Sequence, residues 1–108
     1  MKYGVNVYYN ENVRSSFVLG YQKSDPLKMS SVVIFPDADS PEEAANVVWT
    51  LLNRDDRPNG DTERSLSVGD VVKIIVPPTH VKDWPEEVWL AVEIVGWKRI
   101  DNPLGVKS

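Results

Sequence analysis

Ser40-Pro41-Glu42-Glu43-Ala44-Ala45-Asn46-Val47-Val48-Trp49-Thr50-Leu51-Leu52 decides the fold class, because here the local chemistry specifies a helix amid short strand-like runs. Ser40 offers an N-cap oxygen, Pro41 fits the first helical position, where no backbone donor is needed, and Glu43 stands at the far corner of a capping box. Ala44, Val47, Val48, Leu51 and Leu52 then recur at i, i+3, i+4, i+7 and i+8, one apolar stripe with Trp49 on its flank near Ala45. Asp55-Asp56-Arg57-Pro58-Asn59-Gly60-Asp61 ends the helix, since Pro58 disfavours helical backbone at Arg57 and Asn-Gly is a turn dipeptide. A polar loop follows to Ser65.

Outward from this helix the pattern changes to period two. Upstream, Tyr3 to Tyr9 alternates apolar residues at 3, 5, 7 and 9, and Asn10-Glu11-Asn12 reads as a turn. Ser16 to Gln22 places Phe17, Leu19 and Tyr21 on one face, which predicts an antiparallel hairpin with the first strand. Lys23 to Met29 reads as loop, and Ser31 to Phe35 as a short β-branched strand stopped by Pro36. Downstream, Val71 to Val76 and Val88 to Trp97 read as two central strands, Gly96 marking a bulge or bend near the end of the second. The expected architecture is a single α+β domain over residues 1–108: a mostly antiparallel sheet of about five strands with one main amphipathic helix, in the order β-β-β-α-β-β.

Composition bounds the function. With 12 basic and 16 acidic residues, a net charge of −4 and 42% apolar content, the chain carries enough apolar residues for one core and no one-signed field. That balance weighs against broad binding to nucleic-acid phosphates or anionic lipid, and against imitation of DNA. No apolar run approaches the ~18 residues of a membrane span, and Met1 to Asn6 lacks the apolar core of a secretory signal, so the expectation is a cytoplasmic chain beginning near Met1. The absence of cysteine removes disulfides, thiolate nucleophiles and cysteine-type metal sites, and it fits a reducing compartment.

Arg64-Ser65-Leu66-Ser67-Val68-Gly69-Asp70-Val71-Val72, followed by Val95-Gly96-Trp97, resembles a pattern in small proteins of actinobacteria and their phages, allied to the YodL-like domain. Leu51 to Gly60 is similar to the helix end and loop that precede that pattern, so the resemblance spans roughly Ala44 to Trp97. It implies a phage or mobile-element source and carries no agreed chemistry. The chain departs from it between Pro77 and Glu87, where a shorter turn is expected. The residues themselves have a structural reading: Gly69 suits a positive φ in a tight turn, while Asp70, Ser65 and Ser67 suit local hydrogen bonds to backbone.

Tests for chemistry yield little. His80 is the one histidine and sits in the proline-stiffened Pro77-Pro78-Thr79-His80, with no Gly-x-Ser-x-Gly elbow elsewhere. Asp37, Asp39, Glu42 and Glu43 cluster at the helix start, where acids complement the helix dipole, and the EF-hand spacing is missing. Neither phosphate-cradling glycine motif occurs. The expectation is a protein that is no enzyme and uses no cofactor or metal.

Trp84, in Lys82-Asp83-Trp84-Pro85-Glu86, is the anomaly: an aromatic amid charges and prolines is either a binding anchor or a lid folded over the sheet. Trp97, before Lys98-Arg99, closes the core or stacks on a partner. The sequence reading is a protein-binding module that occludes a host protein, with Trp84 as anchor, His80, Lys82 and Asp83 setting polar register, and Arg54 and Arg57 extending the patch. Two rivals stand beside it. One is a PUA-like or barrel-like nucleic-acid binder using Lys73, Lys82, Lys98 and Arg99, with Trp97 or Trp84 stacking on a base. The other is a structural homo-oligomer.

Overall fold

The computed structural model describes residues 1–54, 56, 60, 63–77 and 86–104, apart from the side chains at 13, 15 and 17. The elements in chain order are β1 (Gly4–Asn10), α1 (Val13–Leu19), β2 (Leu27–Ile34), α2 (Pro41–Leu52), β3 (Val71–Val76), β4 (Glu86–Val92) and β5 (Trp97–Ile100). The strands form one antiparallel sheet in the order β2-β1-β3-β4-β5. This is the expected α+β class, with a different order of elements.

Three expectations are corrected. Residues 16–22 form no strand: α1 occupies 13–19 and ends at Gly20, whose φ of 75° a side chain would resist. The partner of β1 is β2, which begins within the segment expected to be loop and crosses β1 with a register shift between Asn6 and Tyr8. The long strand expected from Val88 to Trp97 is a hairpin, because the chain reverses over Glu93 to Gly96 and returns as β5, Val92 opposite Trp97. The Glu93 N–H closes that turn on the Gly96 carbonyl at 3.0 Å, and Gly96 takes a φ of 76°.

The helix begins as expected. The Ser40 Oγ accepts from the Glu43 N–H at 3.1 Å, with Pro41 in the first turn. Glu43 reaches back to the Asp39 N–H at 3.4 Å instead of to the cap residue itself. Its inward face is turned slightly from the expected stripe: Ala44, Ala45, Val48 and Leu52 are buried, while Val47 is exposed. These residues pack on Val5, Val7, Val72, Ile74 and Leu90 of the sheet, with Leu66 buried in the same cluster. Each fully buried aliphatic contributes roughly 1.5–3 kcal/mol, against about 1 kcal/mol for a helix cap, so packing outweighs the cap in holding α2.

The opposite face of the sheet carries a smaller cluster of Tyr8, Val71, Trp89 and Ala91, flanked by Tyr21, Leu27 and Ile100. Lys73 lies 5.7 Å above the Trp89 ring on this face. The outer edge of β2 is blunted midway, where Glu63 accepts from the Ser30 hydroxyl at 2.6 Å and the Ser31 N–H at 3.3 Å. Among the described residues, no helix is long and apolar enough to cross a membrane.

Candidate functional site

The Arg64 to Val72 stretch acts as a staple across the sheet end. Asp70 is 1% exposed, and its carboxylate accepts from the Arg64 Nη1 at 2.6 Å and Nη2 at 2.7 Å, the Ser67 N–H at 2.8 Å and the Asn10 N–H at 2.8 Å. These hydrogen bonds, opposed by partial burial, hold Arg64 above its ordinary pKa, and its guanidinium stacks 4.9 Å from the Tyr9 ring centre. Asn10 completes the joint by donating from Nδ2 to the Gly69 carbonyl at 3.0 Å and to Asp25 at 2.9 Å. Gly69 has a φ of 94°, and a Cβ there would lie 2.4 Å from the Ser16 Cβ, so the turn lies directly on α1. The motif is thus accounted for by backbone conformation and buried charge pairing.

The staple fixes one wall of a surface. The Gly69 N–H donates to the Val92 carbonyl at 3.0 Å and the Val92 N–H to the Asp70 carbonyl at 2.8 Å, tying Val68 to the end of β4 where the Glu93 to Gly96 turn begins. Between this turn and α2 lies a cleft of about 510 Å³ lined by Asn46, Trp49, Val68, Val92, Glu93, Ile94, Gly96 and Trp97. Trp49 and Trp97 meet edge to face at 6.5 Å, and the Trp97 indole donates to Asn46 Oδ1 at 2.8 Å, which orients both rings. A second cleft of about 390 Å³ lies on the other side of the same turn, lined by Val18, Leu19, Gly20, Val68, Glu93, Ile94 and Val95.

Ile94 and Val95 form the ridge shared by this end of the molecule and are 79% and 89% exposed. Val18, Leu19 and Trp49 are exposed as well, so five large apolar side chains from three elements converge around two clefts. Among the described residues, Glu93 is the one charged residue that lines either cleft. Such an arrangement suits contact with another apolar surface.

Of the residues expected to bind a partner, Arg54 is described, just past α2. It is exposed and forms two hydrogen bonds to Asp56, from Nε at 3.0 Å and Nη2 at 2.9 Å. His80, Lys82, Asp83, Trp84 and Arg57 lie outside the described residues. Val76 and Glu86, the strand ends on either side of residues 77–85, pair at the end of the sheet opposite the Glu93 to Gly96 turn.

Of the cations of the nucleic-acid reading, Lys98 and Arg99 line one cleft of about 640 Å³ together with Lys23. Lys73 is largely covered and 4.0 Å from Glu87, and Arg99 is 3.6 Å from Glu86. Lys98 shares the sheet face of Ala91, while Arg99 shares that of Leu90. Lys82 is outside the described residues. At the acidic helix start, Asp37 pairs with the Met1 ammonium at 2.9 Å, and among the described residues no group of three or more His, Asp or Glu side chains converges to hold a metal.

Sequence reasoning missed Ile94 and Val95 because they read as the interior of a strand. The available signal was length: a ten-residue run, Val88 to Trp97, with Gly96 near its end, exceeds the usual five or six residues of a strand and accommodates a turn. No protein-family model, curated protein or solved structure matches this chain.

Proposed function

We propose that this chain is a non-enzymatic protein-binding module that docks an apolar segment of a partner across the Glu93 to Gly96 turn. The observation that carries the reading is the exposure of Ile94 and Val95 at the tip of a turn held on both sides by backbone hydrogen bonds. Leaving such side chains in water forgoes roughly 1.5–3 kcal/mol each, which a partner that covers them recovers. The surface is also pre-organised, through the Asp70 staple and the Trp97 to Asn46 hydrogen bond, so little ordering entropy opposes docking. The resemblance of Arg64 to Val72 to proteins of phages and mobile elements supports a host protein as the partner and occlusion as the mechanism.

The test uses peptides selected from a displayed random library against the full chain. Ile94→Ser and Val95→Ser lie where exposure leaves the fold indifferent, and each is expected to weaken a selected peptide roughly tenfold, as loss of an interface anchor does. Equal affinity for both variants and the parent contradicts the reading.

A second reading, a homo-oligomer, draws on Met29, Val33 and Phe35, exposed along β2 and the residue that follows it. It requires that the mass in solution rise with protein concentration, and that Phe35→Ser abolish the rise.

A further inference from the structure

Glu93 sits where a docked segment would bury it. It is half-buried on the saddle between the two clefts, close enough to Gly20 that a Cβ there would lie 2.6 Å from its Oε2. Among the described residues no cation pairs with this carboxylate. Arg14, one turn before Val18 on α1, is exposed and lines neither cleft. Lys98 follows Trp97 but faces the side of the sheet away from α2, with Ala91. Arg99, two residues past Trp97 on the α2 side of the sheet, stands 3.6 Å from Glu86, and Arg54, beyond the end of α2, pairs with Asp56, while Glu42 is exposed one turn before Asn46.

A lone carboxylate amid Val68, Ile94, Val95 and Trp97 has a definite consequence for recognition. A segment that covers it without offering a cation strips its water and returns nothing, and an acidic segment adds repulsion. A segment with a Lys or Arg beside its apolar residues satisfies the carboxylate in the same step that fills the clefts. Discrimination then comes as much from rejecting the wrong partners as from attracting the right one. The net charge of −4 on the whole chain steers in the same direction.

We infer that the partner segment is a short apolar stretch carrying a basic side chain, which Glu93 reads. The inference rests on the docking surface proposed above and adds the chemistry of its occupant. The cleft lined by Trp49 and Trp97, at about 510 Å³, falls within the range usual for small-molecule sites and has room for a bulky apolar side chain.

The experiment is selection from a displayed random-peptide library against the full chain and, in parallel, against Glu93→Lys and Glu93→Gln, each first shown to melt like the parent. Peptides from the parent are expected to combine aromatic or aliphatic residues with Lys or Arg. Those from Glu93→Lys are expected to replace the base with Asp or Glu, and those from Glu93→Gln to show no charge preference. A synthetic parent-selected peptide should bind Glu93→Gln roughly five- to tenfold more weakly, with reduced salt dependence. Peptides that lose binding in Ile94→Ser yet carry no basic bias and ignore both Glu93 variants overturn the inference and leave the docking surface standing. Failure to recover any peptide sensitive to Ile94→Ser overturns both.

Discussion

Replacing Asp70 by alanine should cost about 3–4 kcal/mol of folding stability, and the figure follows from what the carboxylate holds. Asp70 is 1% exposed and accepts from the Asn10 N–H, itself in a residue 1% exposed, so its removal strands a buried backbone donor. That alone costs about 1–3 kcal/mol. Breaking a buried charge pair costs about 3–5 kcal/mol when the orphaned charge stays dry. Arg64 keeps 37% of its side chain exposed and regains water on losing Asp70, so the second contribution is discounted below its dry range, to about 1–2 kcal/mol. At this length each kcal/mol moves the midpoint by about 4 °C, giving a fall of about 12–16 °C in a thermal melt followed by circular dichroism. Chemical denaturation of the parent, Asp70→Ala, Arg64→Ala and the double variant completes a cycle. The double variant should lie well short of the sum of the singles, because each single removes the same hydrogen bonds. A loss below about 0.5 kcal/mol for Asp70→Ala, or strict additivity, refutes the staple.

Glycine replacements separate strain from collision. Gly69→Ala combines a φ of 94° with a Cβ 2.4 Å from Ser16, and should cost more than about 2 kcal/mol in denaturant titration; Gly96→Ala, at 76° with nothing within 4 Å, should cost only about 1 kcal/mol. Stability should also fall in acid through Asp25. Burial pushes that carboxyl up, but hydrogen bonds from Asn10 Nδ2, the Gln22 N–H and Asn12 Nδ2 leave it below its ordinary 3.8. Its contribution is therefore complete above the unfolded value and is lost as pH falls through the lower folded one, so Asp25→Asn should flatten the acid limb of a stability profile below about pH 4.

The parts of the fold that were legible are those set by local chemistry. Ser40, Pro41 and Glu43 announce the start of α2 through groups within one turn of each other, and the alternation at 3, 5, 7 and 9 places β1 because those residues share the face that packs on the main core. The hairpin failed because α1 is seven residues long, too short for helical periodicity to outweigh the alternation of Phe17, Leu19 and Tyr21. Asn12 before it and Gly20 after it were the better signals, a helix start and stop. The joining of Arg64, Asp70 and Asn10 spans up to 60 residues of chain, and no local pattern reports such a contact. Asp70 was read as a local hydrogen-bonding residue, and it does accept from Ser67, but its pairing with Arg64 and Asn10 is tertiary. The surface proposed for docking was hidden for a related reason: Ile94 and Val95 look like core until the chain is seen to turn beneath them.

The most direct measurement of the docking surface is the set of tryptophan indole N–H resonances, assigned by single Trp→Phe variants, during titration with a selected peptide. Four tryptophans give one signal each. The account predicts that the Trp49 and Trp97 signals move together, since their rings share the cleft, while the buried Trp89 signal stays in place. Movement of the Trp84 signal with Trp49 and Trp97 unmoved would contradict it and assign binding to the segment between Pro77 and Glu87.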